Sequence, residues 1–247
     1  MFDGVLLGKT AVVTGASRGI GEAVAVALMR SGADVTALQR GPASQDLRQL
    51  ADELGRRLTS VSVDFTEEQS IGSAITEIGA VDILVNNAGT QIRHDAVDFP
   101  LADFNRVLQV NTSAVFQLSQ GFGAHMVARG GGKIVTLASL LSFQGGLRVP
   151  AYAASKGAVA QLTKALSNEW ASHGVNVNAV APGYVQTDMN EALLADPDRF
   201  RQLSERIPAG RWALPDDIAN AVAYLCTPYA DYVHGTILAV DGGWLGR

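Results

Sequence analysis

A tyrosine and a lysine four residues apart, Tyr152 and Lys156, are the residues of this sequence best suited to move a proton. On a helix, positions four apart share one face, so the ammonium would lie beside the phenol. A free tyrosine has a pKa of about 10, and a neighbouring cation favours its phenolate. Ser139 precedes Tyr152 by thirteen residues, at the end of an expected strand, where its hydroxyl could bond a substrate oxygen. The three residues predict acid–base chemistry on an alcohol or ketone.

A glycine-rich segment near the start of the chain predicts a dinucleotide site. Residues 14–21 read Thr-Gly-Ala-Ser-Arg-Gly-Ile-Gly and lie between an expected strand and an expected helix. Gly15 can take the turn, Gly19 can let the backbone approach a phosphate, and Gly21 permits close helix packing. The N-terminus of the following helix offers unbonded N–H groups to a pyrophosphate. Together with the Tyr152–Lys156 pair, this loop predicts a nicotinamide-dependent oxidoreductase.

The end of the second expected strand bears on the choice of cofactor. An acidic residue there binds the ribose hydroxyls of NAD, whereas an arginine accommodates the 2′-phosphate of NADP. The sequence has Leu38, Gln39 and Arg40 at this place, with no acid, and Arg18 in the glycine loop offers a second cation. We therefore expect NAD(P), with NADP preferred, although either arginine could instead be a solvated surface charge.

Short apolar runs alternate with longer amphipathic stretches along the whole chain. Such alternation predicts β-α-β units, a parallel sheet with helices on both faces and a single domain over residues 1–247. The expected strands are 10–13, 34–38, 58–63, 81–85, 133–139, 175–181 and 236–240, and the expected helices are 20–29, 45–54, 67–78, 103–128, 152–173 and 215–225.

One long segment, residues 184–215, interrupts this alternation. It is rich in charge and carries an expected helix near 191–204. Long insertions in compact domains tend to be functional, so we interpret the segment as a mobile flap over the substrate, with a decorative surface helix as the alternative.

Composition excludes several other classes of protein. The net charge of −5 and the lack of a basic cluster argue against nucleic-acid binding. The four histidines are scattered, so no metal site is expected. Cys226 has no partner for an intramolecular disulfide, and no run of apolar residues is long enough to span a membrane. With no signal peptide at the N-terminus, a cytoplasmic location is expected.

Several motifs in order make the chain resemble the short-chain dehydrogenase/reductase family over essentially its whole length. The matching pieces are residues 14–21, Asp64, Asn86-Asn87-Ala88-Gly89, Asn111, Ser139, Tyr152-Ala-Ala-Ser-Lys156, and Pro182-Gly183 followed by Thr187. The resemblance implies a Rossmann fold with a seven-stranded, doubly wound parallel sheet. It also implies a homotetramer in which the helices containing Asn111 and Tyr152 form an interface.

The same resemblance implies residue roles. Tyr152 would be the general acid/base, Lys156 would bind the nicotinamide ribose and lower the pKa of Tyr152, Ser139 would orient the substrate oxygen, and Asn111 would hold a water of a proton relay. The cofactor would lie along Gly15, Ser17, Arg18, Gly19, Ile20, Gly21, Arg40, Asp64, Phe65, Asn87, Ala88, Gly89, Tyr152, Lys156, Pro182, Gly183, Val185 and Thr187.

Segments outside these shared motifs resemble the sugar-acid dehydrogenases of the family, of the 2-keto-3-deoxygluconate and gluconate type. These segments are residues 141–146, 148–150, 207–212 and 239–244. The expected substrate residues are Arg93, Gln144 and Arg148, and at least one of the two guanidinium groups would grip a carboxylate. The alternative for Arg148 is a bond to a loop carbonyl or to a neighbouring subunit.

Two other functions stay open at this point. A 3-oxoacyl carrier-protein reductase would need a basic surface beside the mouth of the active site. A catalytically silent dinucleotide-binding regulator would not need Ser139, Tyr152 and Lys156.

Overall fold

One parallel sheet organises the chain. The computed structural model describes residues 2–247, except for the side chains of Met189 and Ala192. Within this range seven strands pair in the order β3-β2-β1-β4-β5-β6-β7. They are β1 (Thr10–Thr14), β2 (Asp34–Gln39), β3 (Leu58–Ser62), β4 (Ile83–Asn86), β5 (Gly132–Leu137), β6 (Val175–Pro182) and β7 (Ile237–Val240). The predicted Rossmann fold, with a seven-stranded, doubly wound parallel sheet, is confirmed.

Helices cover both faces of the sheet. They are α1 (Gly19–Arg30), α2 (Gln45–Glu53), α3 (Glu68–Ile78), α4 (Leu101–Leu108), α5 (Ala114–Arg129), α6 (Pro150–Trp170), α7 (Glu191–Leu194), α8 (Pro197–Arg206) and α9 (Pro215–Cys226). The helices α1, α2 and α9 bury one apolar cluster against the sheet, and α3, α5 and α6 bury the other. Val13 points into the first cluster and Val12 into the second, which explains why the strand sequences are apolar without alternation.

No helix among residues 2–247 combines the length and the apolar character needed to cross a membrane.

The strand order reverses between β1 and β4, which are direct neighbours with Val13 paired to Val85. On either side of this point the crossover helices lie on opposite faces, so a crevice opens beyond the carboxyl ends of the two strands. Thr14 ends β1 there and is followed by Gly15, and Asn87 follows β4. This crevice is where the fold places a ligand.

The predicted helix over 103–128 is interrupted. α4 ends at Leu108, a π-helical turn spans Gln109–Ser113, and α5 begins at Ala114. Asn111 lies in this turn and is tied by its side chain to the main chain of Thr90. A π turn holds one residue more than an α turn, and hydrophobic periodicity over so short a stretch does not reveal it.

Residues 184–215 pack against residues that follow β5 and β7. The predicted helix over 191–204 is split into α7 and α8, because Pro197 cannot continue a helix and Asp196 caps the next one. Leu203, Ile207 and Trp212 are buried against Leu140 and Trp244. The segment is therefore anchored by an apolar cluster of its own.

Candidate active site

Ser139, Tyr152 and Lys156 meet at the carboxyl end of the sheet. Pro150 occupies the first turn of α6, so Tyr152 and Lys156 lie on its first two turns, and the Lys156 Nζ is 5.6 Å from the centroid of the Tyr152 ring. The same Nζ donates a hydrogen bond of 2.5 Å to the main-chain oxygen of Leu137 at the end of β5. Ser139 follows this strand, and the three side chains line one cavity of about 120 Å³.

The electrostatics differ from the expectation in one respect. Burial raises the pKa of the Tyr152 phenol, and a hydrogen bond with Ser139 acts in the opposite direction. Burial also lowers the pKa of the Lys156 ammonium, to about 8. The expected lowering of the Tyr152 pKa by Lys156 is not found, because loss of water dominates at both groups and the ammonium is bonded to Leu137. Ser139 is the residue that favours the phenolate here.

The side chain of Asn111 links the loop at Thr90 to α6, the catalytic helix that carries Tyr152. Its Oδ1 accepts from the Thr90 N–H at 2.8 Å, and its Nδ2 donates to the Thr90 carbonyl at 2.9 Å and to the Ser155 hydroxyl at 3.0 Å. Ser155 in turn donates to the Tyr152 carbonyl at 2.8 Å. Both amide hydrogens of Asn111 are thus used within the protein. A relay water held by Asn111 would have to bind an oxygen, such as its main-chain carbonyl in the π turn.

The glycine loop leaves an open space beside its backbone, because its three glycines carry no side chains. Gly15 and Gly19 have φ values of +66° and +59°, a region that favours glycine. A Cβ at Gly21 would overlap the Gly15 carbonyl oxygen and the Asn87 side chain. Asn87 holds the loop by donating to the carbonyls of Thr14 and Gly15 at 2.9 and 3.0 Å. The exposed backbone of this loop fits a pyrophosphate.

Most of the other predicted cofactor residues converge beside the catalytic residues. The cavity that contains Ser139, Tyr152 and Lys156 is also lined by Ile20, Asn87, Gly89, Pro182, Gly183, Val185 and Thr187. Ala88 packs against Gly15, and its N–H donates to the Thr14 hydroxyl at 2.8 Å. Residues from four different parts of the sequence therefore form one groove, and they fit a dinucleotide whose nicotinamide end lies next to Tyr152.

The end of β2 carries no acidic group toward this groove. Gln39 is buried, and its amide donates to the carbonyls of Gly41 and Pro42 at 3.0 Å each. Arg40 is exposed beside it. Gln39 therefore shapes the turn after the strand, and the guanidinium of Arg40 is left at the surface, where it fits a phosphate.

Four other predicted cofactor residues, Ser17, Arg18, Asp64 and Phe65, lie outside the cavity that contains Tyr152. Ser17 and Arg18 are exposed in the glycine loop, and Arg18 forms an ion pair of 3.0 Å with Asp188. Hydrogen bonds from Thr66 are the main cause of the lowered pKa of Asp64. Phe65 packs against the second apolar cluster. Arg18 is thus bonded across the groove to the 184–215 segment.

A larger cavity of about 510 Å³ adjoins the catalytic residues and is lined by Arg93, Gln144 and Arg148, as expected for substrate residues. It shares Ser139 and Tyr152 with the smaller cavity. No Asp or Glu among the described residues lines it. The cavity therefore suits a small anionic molecule whose reacting oxygen faces Tyr152.

Arg148 is less available than the sequence suggested. Its guanidinium is paired with Asp95 at 3.0 Å, and its carbonyl accepts a hydrogen bond of 3.2 Å from the His94 N–H. Its φ of +64° is unusual for a residue with a side chain. The ion pair argues against the expected carboxylate clamp at Arg148, and the partner of its guanidinium is the carboxylate of Asp95, not the loop carbonyl or neighbouring subunit of the alternative.

Sequence reasoning missed two arginines of the same cavity. Arg199 and Arg206, both on α8, line it together with Tyr184, Asn190 and Leu193. Residues seven apart lie on one face of a helix, so the pair could have been found from its spacing once α8 was assigned. The split at Pro197 concealed that assignment.

Other parts of the described chain hold fewer of the predicted features. No three His, Cys, Asp or Glu side chains within it come close enough to hold a metal ion. A cavity of about 680 Å³ lies at the amino ends of the strands, beside Lys9, Asp82 and Lys133, and contains no predicted site residue.

Comparison with known proteins gives matches over nearly the whole chain. A family model described as enoyl-(acyl carrier protein) reductase matches residues 15–245. A 2-dehydro-3-deoxy-D-gluconate 5-dehydrogenase of Bacillus subtilis is 47% identical over 98% of this chain and 96% of its own.

Solved structures are also similar throughout, and two of them serve as examples. A protein of Agrobacterium tumefaciens described as a 2-deoxy-D-gluconate 3-dehydrogenase, with bound NADP, has a TM-score of 0.94 and 47% identity, covering 100% of this chain and 99% of the other. A gluconate 5-dehydrogenase of Burkholderia cenocepacia in complex with NADP and tartrate has a TM-score of 0.92 and 37% identity, covering 100% and 99%.

Proposed function

Because the chain belongs to the short-chain dehydrogenase/reductase family, we propose that it is an NAD(P)-dependent oxidoreductase that interconverts a hydroxyl and a keto group of a sugar acid. The observation that carries this proposal is the convergence of Ser139, Tyr152 and Lys156 where a dinucleotide groove meets an arginine-lined cavity. A silent dinucleotide-binding regulator would not need this set. The family and the sugar-acid subgroup predicted from the sequence are confirmed by the relatives.

NADP is the cofactor that the groove fits best. Both similar structures named above contain NADP, and in this chain β2 ends without an acid and is followed by the exposed Arg40. Arg40 and Arg18 would face the 2′-phosphate, with Arg18 leaving Asp188 to do so. When bound, the nicotinamide supplies or accepts the hydride.

The residues of the chain itself would manage the proton and the orientation of the substrate. The Tyr152 hydroxyl would give a proton to the substrate oxygen during reduction and take it back during oxidation. Ser139 would bond the same oxygen. Lys156, with a pKa of about 8, is close to the point where it can exchange a proton with Tyr152 or with water near neutral pH.

The anionic nature of the substrate is supported by charge and by the relatives. Arg93 faces the cavity without an ion-pair partner among the described residues, and the cavity lining contains no carboxylate. The Burkholderia cenocepacia structure contains tartrate, a small hydroxy acid. A sugar acid would place its carboxylate among the arginines while its reacting carbon faces Tyr152.

A 3-oxoacyl carrier-protein reductase is the second candidate, and one observation favours it. Arg93 is exposed at the mouth of the cavity, where its positive charge is of the kind that an acidic carrier protein would contact. The relatives named for sugar acids favour the first candidate.

The test is a screen of absorbance at 340 nm with NAD(H) and NADP(H). The substrates are D-gluconate, 2-dehydro-3-deoxy-D-gluconate, neutral polyols such as D-glucitol, and an oxoacyl thioester. The expected result is turnover of a sugar acid with NADP(H) as the better cofactor. Turnover of the thioester alone would support the second candidate, and a lack of turnover of every sugar acid with either cofactor would overturn the proposal.

The 184–215 segment would act as the flap over this substrate. It contributes Tyr184, Leu193 and Arg206 to the cavity wall, so its position decides how open the cavity is. Its apolar cluster with Leu140 and Trp244 would hold it closed.

Assembly and location also belong to the proposal. A groove between α5 and α6 carries Phe116, Ala158, Leu162 and Ala165, and Phe116 is 42% exposed. This surface supports a homotetramer that pairs the two helices with those of a neighbour, and light scattering after gel filtration would test it. Cys226 is the only cysteine of the sequence, so no intramolecular disulfide can form, which suits a reducing, cytoplasmic setting.

A further inference from the structure

We propose that Arg206, the last residue of α8, binds the carboxylate of the substrate and sets the preference of the enzyme for an acid over a neutral sugar. This inference rests on the proposed sugar-acid function and assigns the anion-binding role to a residue of the flap segment. The sequence had pointed instead to Arg93 and Arg148.

Arg206 is held in place by an aromatic ring. Its Cζ lies 3.9 Å from the centroid of the Trp244 ring, and both residues line the substrate cavity. A guanidinium over an aromatic ring makes a cation–π contact, and its planar N–H fork can still match the two oxygens of a carboxylate. This contact restricts the side chain before a substrate arrives, which reduces the entropy lost on binding.

The ring that supports Arg206 is itself fixed. Trp244 is only 3% exposed and belongs to the apolar cluster that contains Leu203 and Ile207. Its Nε1 donates to the Gln144 Oε1 at 3.3 Å, so the NH₂ of Gln144 is left to donate to a substrate hydroxyl. Arg247 donates to the Glu205 carbonyl at 3.1 Å and closes the end of α8. Arg206 thus has the rigid support that a specificity residue needs.

The other arginines of the cavity are less well placed to bind a carboxylate. Arg148 is already paired with Asp95, and Arg199 contacts the Gln202 Oε1 of its own helix at 3.5 Å. Arg93 has neither a stacking ring nor an ion-pair partner among the described residues, so its orientation is not fixed. Arg206 also has no carboxylate partner among those residues. It is the guanidinium that is both fixed and uncompensated.

The experiment compares Arg206→Met with Arg206→Lys and with a control on the same helix. Arg201→Met is the control, because Arg201 is exposed, is paired with Asp198, and does not line the cavity. KM and kcat are measured for D-gluconate and for D-glucitol, in which a CH₂OH group replaces the carboxylate. The dissociation constant of NADP(H) and the Tm are measured for each variant.

We expect Arg206→Met to lower kcat/KM for D-gluconate by about 10- to 100-fold, mainly through KM, because the lost bond is to a charged group. Arg206→Lys keeps the charge without the planar fork and should lose less. Arg206→Met should keep its kcat/KM for D-glucitol and its affinity for NADP(H) within about twofold of wild type, and so should the kinetics of Arg201→Met. A twofold change corresponds to less than half of RT ln 10, the free energy of a tenfold change.

The possible failures are distinct. An unchanged KM of Arg206→Met for D-gluconate, in an enzyme that prefers the acid, would overturn the assignment of Arg206 and leave the sugar-acid function standing. An equal loss on both substrates, or a parallel loss of NADP(H) affinity, would mean that Arg206 is structural, which also overturns it. A wild-type enzyme that turns over no sugar acid in the 340 nm screen would remove the proposed function itself.

Discussion

Replacement of Lys156 by methionine should make the stability of the protein less dependent on pH. Lys156 is 5% exposed, and burial lowers the pKa of its ammonium from 10.5 to about 8. Methionine has a similar length and carries no charge, so the variant removes the titrating group while it keeps most of the packing. The cost of holding the ammonium in the folded state is therefore the quantity that the variant isolates.

The magnitude follows from the difference between the two pKa values. At 1.36 kcal/mol for each pKa unit, a fall from 10.5 to about 8 corresponds to a destabilisation of about 3 kcal/mol. Below pH 8 both the folded and the unfolded chain carry the proton, so the whole cost is present. Between pH 8 and 10.5 the folded chain has lost the proton and the unfolded chain still holds it, so the stability rises with pH. From pH 7 to pH 9.5 the gain is about 2 kcal/mol.

The assay is urea unfolding of the cofactor-free protein, followed by tryptophan fluorescence at several pH values from 7 to 9.5. The measured quantity is the free energy of unfolding of wild type minus that of Lys156→Met. Lys164→Met, at an exposed site on the same helix, is the control for the loss of a cation. Titration of Cys226 is common to all three proteins and cancels in the difference. A difference that stays constant or falls with rising pH would refute the assignment of Lys156 as a buried, destabilised cation.

Three further predictions concern the reaction and the cofactor. Tyr152→Phe should keep its affinity for NADP(H) while kcat falls by about 10²- to 10⁴-fold, and an unchanged kcat would remove Tyr152 from the proton transfer. Gly21→Ala should destabilise the protein by about 1–3 kcal/mol and weaken NADP(H) binding, because its Cβ would overlap the Gly15 carbonyl. The control, Gly72→Ala in α3, meets only ordinary contacts and should be neutral or stabilising. Equal urea midpoints of the two variants would contradict this prediction. Arg40→Glu should raise KM for NADP(H) by about tenfold or more and leave KM for NAD(H) unchanged or lower, and an unaltered ratio of the two would exclude Arg40 from the 2′-phosphate site.

Asn111 was predicted from the sequence as a site residue, but the π turn that contains it was not. The sequence marked it as a site residue, and the structure places it beside Thr90 and Ser155 at the base of the catalytic helix. The hydrophobic repeat of α4 and α5 gave no sign of the π turn between them. Such a turn depends on side-chain bonds to a loop some twenty residues earlier, and a local repeat contains no information about that loop.

The residue pattern alone predicts the succession of strands and helices along the chain, the glycine loop, the set of Ser139, Tyr152 and Lys156, and the absence of an acid after β2. These features depend on local periodicity, on glycine conformation and on short spacing, all of which can be read along the chain. The sequence also placed the sugar-acid motifs.

Which charges are available in the site follows from the packing of the folded chain. Whether Arg148 is free depends on Asp95, whether Arg206 is fixed depends on Trp244, and the pKa of Tyr152 depends on how much water the surrounding elements exclude. Arg206 and Trp244 are far apart in the sequence, and burial is a property of the whole packed chain. The energy of a charge depends on its neighbours and on its exposure to water, and for these residues both are set by the fold.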